Sequence, residues 1–233
     1  MTPDELAELT ADAVSSLGGQ SLRIVDAATS VESKPGLYAI WADQLTWREL
    51  GIEWRGASFP LYVGKSESSL LGREVNTHFD AGSSSASKTG SSTVRRSFAA
   101  LLASSLDLQG IPRNVEKPGY FSTYSIRPAD DARLTAWMHE HLSLSIWGYP
   151  TTAAVLLDLV ETEVIRAWDP PINIQKVPSS RAELKAARSL LARQAAAWTP
   201  ISWGLTSPSW QPLLRLSLPS SSQSGAASLR AEA

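Results

Sequence analysis

Two β-like runs constrain this chain more than any other feature: Leu37 to Trp41 (LYAIW) and Phe59 to Gly64 (FPLYVG). Their connection is the one short enough to make a hairpin, so the two runs are expected to pair antiparallel. Each carries a tyrosine beside a glycine, in Gly36-Leu37-Tyr38 and in Tyr62-Val63-Gly64, and Lys65 follows directly. Two paired strands of this kind place two phenols side by side in one cleft.

The rest of the chain reads mainly as helix. Thr2-Pro3-Asp4-Glu5 is a helix start, with Thr as N-cap, Pro at the first helical position and Glu three residues after the cap. Leu6, Leu9, Ala13 and Leu17 follow at helical spacing, and Gly18-Gly19 ends the helix. A short strand is expected over 22–27, and an irregular or hairpin insert over 47–56. A helix is expected around 70–79, followed by a loop over the Ser- and Gly-rich stretch 81–92. Ser92 or Thr93 caps the next helix, whose apolar face holds Val94, Phe98, Leu101 and Leu102. A third strand is expected over 119–126, where aromatics alternate, then helices over 129–147 and 152–168, the latter ended by Pro170-Pro171. A further amphipathic helix covers 180–198. The order predicts an α+β fold: a small three-stranded antiparallel sheet flanked by helices, with extra helices and a disordered C-terminal tail.

Composition narrows the function by exclusion. A net charge of −2 supplies no global field towards nucleic acid, so any such attraction must be local. The chain has no cysteine, which removes disulfides and thiolate metal sites and fits a reducing cytoplasm. The acidic start (Asp4, Glu5, Glu8) is unlike a signal peptide, and no apolar run approaches the roughly 20 residues of a membrane span.

Phosphodiester hydrolysis needs an activated nucleophile, a cation against the developing charge and, usually, a metal held by carboxylate. Tyr38 and Tyr62 are candidates for the first. A free phenol has a pKa of about 10, so a nearby cation must tune it, and Lys65 is placed in sequence to do so. Arg73, on the helix after the second run, can offer its planar fork to a phosphate. Glu161, on a late helix, can hold a hard divalent ion through oxygen, with waters completing the shell. Among the basic residues, Arg181, Lys185 and Arg188 share one helix face at i, i+4 and i+7, and Arg95 and Arg96 follow the Ser-rich loop; both sets are candidate nucleic-acid contacts.

These strings together resemble the GIY-YIG endonuclease superfamily. Gly36-Leu37-Tyr38 and Tyr62-Val63-Gly64 stand for its two signature strings. Leu70 with Arg73 resembles its Leu-x-x-Arg helix, and His78-Phe79 the pair that follows it. Glu161, Ile165, Arg166, Pro170 and Asn173 resemble its closing segment. The resemblance implies a divalent-metal-dependent endonuclease acting on DNA, with Mg²⁺ or Mn²⁺ held by Glu161 and with Tyr38, Tyr62, Lys65, Arg73, His78 and Asn173 at the site. The spacing around Arg73 is one residue longer on each side than the family's, which keeps Arg95 and Arg96 as rivals for the catalytic arginine. Glu163 competes with Glu161, and the spacing to Asn173 favours Glu161. The competing function is a GIY-YIG-fold module that binds nucleic acid or protein without cutting.

The domain organisation expected is an N-terminal helical extension over 1–30, the nuclease-like domain over 31–178, a helix and Trp-rich segment over 179–215, and a disordered tail over 216–233.

Overall fold

Alternation of side chains across a central sheet organises the protein. The computed structural model describes residues 2–27, 34–67, 70, 88–114, 123–150 and 157–199, and the fold below is that of the unit Met1–Trp198. The sheet is built from β1 (Leu22–Arg23), β2 (Gly36–Trp41), β3 (Tyr62–Ser66) and β6 (Ser143–Gly148) in the order β1-β6-β2-β3, antiparallel throughout. Strand β2 is central and β3 is an edge. Leu37, Ala39, Val63 and Trp147 point to one face, where they meet α1 (Pro3–Leu17) and α6 (Leu157–Trp168). Tyr38, Ile40 and Leu144 point to the other face, into a cluster shared with α4 (Thr93–Leu101) and α5 (Pro128–His141). Helix α7 (Ala182–Ala196) packs on α4 and on β4 (Gly110–Ile111), which pairs with β5 (Ser125–Ile126) in a separate two-stranded sheet.

Local sequence explains the elements. Helix α1 begins with a complete capping box: the Thr2 hydroxyl accepts from the Glu5 N–H, and the Glu5 carboxylate accepts from the Thr2 N–H at 2.7 Å. Its Ala13 and Leu17 are buried against the sheet layer, and Trp147 donates to Asp12 at 2.7 Å, tying the helix to β6. Ser92 caps α4 by accepting from the Arg95 N–H.

The α+β class with an antiparallel sheet stands, and the sheet has four strands where three were expected. The second interior strand is β6, nearly all of it inside the stretch 129–147 expected to be helical throughout. Helix α5 stops at His141, and Leu142 is extended (φ −114°, ψ 148°). The apolar spacing changes there from helical to alternating, with no glycine or proline to mark it. The expected strand over 119–126 survives as β5, in the small sheet; residues 115–122 lie outside the described residues. The stretch 22–27 divides into β1 and one helical turn, α2 (Ile24–Ala27). The insert after β2 opens with α3 (Gln44–Glu49), capped by Asp43 and pinned by the buried Trp47. Residues 71–79 of the expected helix, 81–87 of the expected loop, 200–215 of the Trp-rich segment and the tail 216–233 lie outside the described residues.

Candidate active site

The two tyrosines meet because of register. Tyr38 pairs across the ladder with Gly64, and Ile40 pairs with Tyr62, so Tyr38 and Tyr62 are diagonal neighbours on one face. Their ring centroids are 5.9 Å apart and tilted by 39°. Gly64 makes this possible. A Cβ there would lie 2.5 Å from the Tyr38 Cζ and hydroxyl and 2.8 Å from the Tyr62 ring. The glycine of the second string is thus a seat for both phenols. Tyr38 is buried, whereas Tyr62 is half-buried and lines a cleft of about 340 Å³.

The cleft opens at the free edge of β3. An edge strand leaves backbone groups unpaired, and Asn173 covers them: its side-chain oxygen accepts from the Val63 N–H at 2.9 Å and its amide donates to the Val63 carbonyl at 2.8 Å. The Ile172 N–H bonds the Leu61 carbonyl beside it. Arg181 holds this segment in place. It pairs with Asp169 and donates to the carbonyls of Asp169, Pro170 and Asn173 at 3.0–3.1 Å. Asn173 therefore lines the cleft with both polar ends of its amide committed to the strand edge.

Helix α6 supplies the acidic wall. Asp158 and Glu161 lie three residues apart and so share a helix face. Glu161 is deep, with a side chain 11% exposed, against 55% for Asp158. Lys176 bridges them, at 2.6 Å to Glu161 and 2.7 Å to Asp158, and Lys65 reaches Asp158 at 2.8 Å and Glu67 at 2.7 Å. Hydrogen bonds from Lys176 and then Lys65 pull the Asp158 carboxyl down to about 2. Burial alone would lower the Lys65 pKa, but its bonds to Asp158 and Glu67 outweigh that and leave it raised. Lys65 is thus a fixed cation and a poor proton acceptor.

The basic candidates separate sharply. Arg95 is not at the surface but fully buried between α4 and α5. It bonds Asp131 at 3.0 Å and Thr135 at 2.8 Å. Burial lowers its pKa, with Asp131 opposing. Arg181 is likewise absorbed in the clamp on 169–173. Arg96 is buried, donates to the Gly90 carbonyl at 2.7 Å and to the Thr93 hydroxyl, and is pushed down to about 10 by burial and then by Arg188. Arg188 reaches from α7 to the Thr93 carbonyl and the Ser97 hydroxyl at 3.1 and 3.0 Å. Burial lowers its pKa, and Tyr124 and Tyr62 oppose that. Lys185 is exposed. Arg73 and His78 lie outside the described residues.

Tyr38, Tyr62, Lys65, Glu161 and Asn173 are therefore gathered at one end of the sheet, four of them lining the cleft and Tyr38 directly behind. Asp158 and Lys176 also belong to this cleft. Asp158 is signalled in the sequence by its helical spacing to Glu161; Lys176 has no such signal beyond following Asn173 by three residues.

The family model of the GIY-YIG catalytic domain matches residues 36–190, more than half of the chain. The protein belongs to the GIY-YIG family, and its function is of the nuclease type, with nucleic acid as the implied substrate. No curated protein and no solved structure matches the chain. Among the described residues, no helix is long and apolar enough to cross a membrane.

Members of this family are generally divalent-metal dependent. The donor chemistry at the cleft suits a hard ion that keeps most of its waters. Glu161 and Asp158 present carboxylate oxygens on one wall, and among the described lining residues there is neither sulfur nor imidazole. Among the described residues no group of three or more His, Cys, Asp or Glu side chains converges.

Proposed function

We propose that the protein is an endonuclease that hydrolyses DNA phosphodiester bonds in the cytoplasm with Mg²⁺ or Mn²⁺. The observation that carries the reading is the convergence of Tyr62, Lys65, Glu161 and Asn173 on one cleft with Tyr38 behind them. Glu161 would hold the ion, with Asp158 beside it, and the bound ion would offset charge on the phosphate under attack. Tyr62 orients the attacking water from the cleft wall. Tyr38 fixes the ring of Tyr62 from behind, which limits the rotamers available to that phenol. Lys65 holds positive charge on the wall of the same cleft, paired to Asp158. Asn173 fixes the β3 edge and with it the height of Tyr62 in the cleft. Arg73 stabilises the pentavalent phosphate, His78 serves the same step, and Arg188 and Lys185 carry the flanking backbone of the DNA.

The test is plasmid nicking in Mg²⁺ against EDTA for the wild type, Tyr38→Phe, Tyr62→Phe and Glu161→Ala. The reading expects EDTA to abolish nicking and the Glu161 variant to lose activity by about 10²–10³-fold, the scale on which one electrostatic group contributes to such chemistry. Equal nicking by all four proteins overturns it. Retained DNA binding with no metal-dependent cleavage on any substrate would replace it with a fold that binds without cutting.

A further inference from the structure

Lys176 has no place in the nuclease reading, yet the structure commits much to it. Its backbone lies in the left-handed region at φ 63°, which residues bearing a Cβ rarely adopt and which persists where the surroundings enforce it. The result is an ammonium aimed into the cleft. It donates to Glu161 Oε2 at 2.6 Å, to Asp158 Oδ1 at 2.7 Å and to the Asp158 carbonyl at 3.3 Å, which uses all three of its donors. The side chain is three-quarters buried. With Lys65 also bonded to Asp158 Oδ1, the Asp158 and Glu161 carboxylates are neutralised from within the chain.

This arrangement puts a cation where another is required. Glu161 is the deep carboxylate, and its Oε2 is held by Lys176. A divalent ion binds carboxylate oxygen at about 2.0–2.1 Å for Mg²⁺. An ammonium 2.6 Å from the same oxygen would lie against that ion's coordination shell, with like charges in contact. The two cations exclude one another at Glu161 Oε2 and repel across the rest of the carboxylate. Lys176 is not covalently bound to that position and remains anchored to Asp158 if it leaves.

We propose that Lys176 is the resident counter-cation of the Asp158–Glu161 pair, and that a divalent ion enters the cleft by displacing its ammonium from Glu161. The lysine keeps the ion-free cleft close to neutral, so the two carboxylates can sit side by side facing an incoming polyanion. It also weakens ion binding, because every ion must break the Lys176–Glu161 contact. This inference rests on the reading of Glu161 as the metal-holding residue.

Calorimetric titration of Mn²⁺ into the full chain, stripped with EDTA and dialysed, tests it on the wild type, Lys176→Met, Lys176→Arg and Glu161→Gln, with circular dichroism to verify the fold. Lys176→Met should bind Mn²⁺ about tenfold more tightly than wild type, the loss of roughly one part-buried ion pair. Lys176→Arg, which keeps the positive charge, should stay near the wild-type value, and Glu161→Gln should lose binding. Its melting temperature in EDTA should fall for Lys176→Met and return with Mn²⁺. Equal or weaker Mn²⁺ binding by folded Lys176→Met overturns the displacement and leaves Lys176 as a clasp between α6 and the following segment; Lys176→Gln decides the matter in the same way if the Met variant does not fold. No Mn²⁺ binding by wild type or Lys176→Met would instead overturn the reading of Glu161, and this inference with it.

Discussion

Two ion-pair systems sit on opposite sides of the sheet and differ in what surrounds them. On the side of α4 and α5, Arg95 and Asp131 are buried together. Asp131 accepts from Arg95, from the Lys88 N–H at 2.8 Å and from the Thr89 hydroxyl, while Arg95 also donates to Thr135. At the β3 edge, Lys65, Lys176, Asp158 and Glu161 form an equally dense set of contacts at 2.6–2.8 Å, but it lines an open cleft. The first system exchanges nothing with solvent and joins α4, α5 and the turn that precedes α4. The second can trade one of its cations for another. Similar distances therefore signify architecture in one region and chemistry in the other, and burial decides between them.

The largest effect should come from breaking the sealed pair. Asp131→Ala leaves the Arg95 guanidinium charged in the core without its carboxylate and removes the acceptor for Lys88 and Thr89. Losing one partner of a buried pair costs about 3–5 kcal/mol. Urea unfolding followed by circular dichroism measures it. A loss under about 1 kcal/mol would mean the guanidinium finds water, and the contrast between the two regions would fail. The double variant Arg95→Met with Asp131→Leu sharpens the point, since apolar replacement of a buried pair is often close to neutral. It should recover part of the loss, short of the share owed to Lys88 and Thr89.

Gly64→Ala probes the place where architecture and site coincide. Its new methyl meets the Tyr38 ring, which is buried and has no room to yield, and the Tyr62 ring, which can move into the cleft. Overpacking of this kind costs about 1–3 kcal/mol. Unfolding should show that loss, and the proposed nicking should fall further than folding alone accounts for, because Tyr62 is driven off its diagonal contact with Tyr38. Unchanged stability together with unchanged nicking would show that neither the seat nor the phenols matter.

The hairpin was legible because its signals are local. Glycines next to tyrosines, β-branched and aromatic neighbours and a single short connection give the antiparallel pair, and the pairing gives the diagonal contact of the phenols. Strand β6 was not legible, since the change from helical to alternating spacing at Leu142 carries no turn residue. The central place of that strand depends on partners more than a hundred residues away, as in the pairing of Leu37 with Trp147. Glu161 and Asn173, linked in the sequence by their spacing, do lie at one cleft, yet the spacing could not tell that both ends of the Asn173 amide serve the β3 edge. Arg95 shows the same limit: a basic residue on an amphipathic helix reads as a phosphate contact until a distant Asp131 is seen beside it. Net charge on a helix face is a sequence property, whereas its partner is a property of the fold.

Asp158→Asn should give the smallest effect and tests the exchangeable side of the comparison. Asp158 has its carboxyl lowered from 3.8 to about 2 by Lys176 and Lys65. Between those values the unfolded chain binds a proton that the folded protein does not, so folding stability falls as pH falls. The contribution is fully present above about pH 5, declines from about pH 4 and is gone below about pH 2. More than half of the side chain is exposed, so solvent screening keeps this contribution small. Melting temperatures from pH 6 to pH 2 should therefore show a slightly shallower acid slope for Asp158→Asn than for wild type, with the two curves converging at the acid end. Raising the salt concentration should shrink the difference, because screening weakens pairs that face water. The stability lost in Asp131→Ala should resist salt, since that pair is sealed in the core. Equal salt sensitivity in the two regions would refute the distinction between a closed pair and an open one.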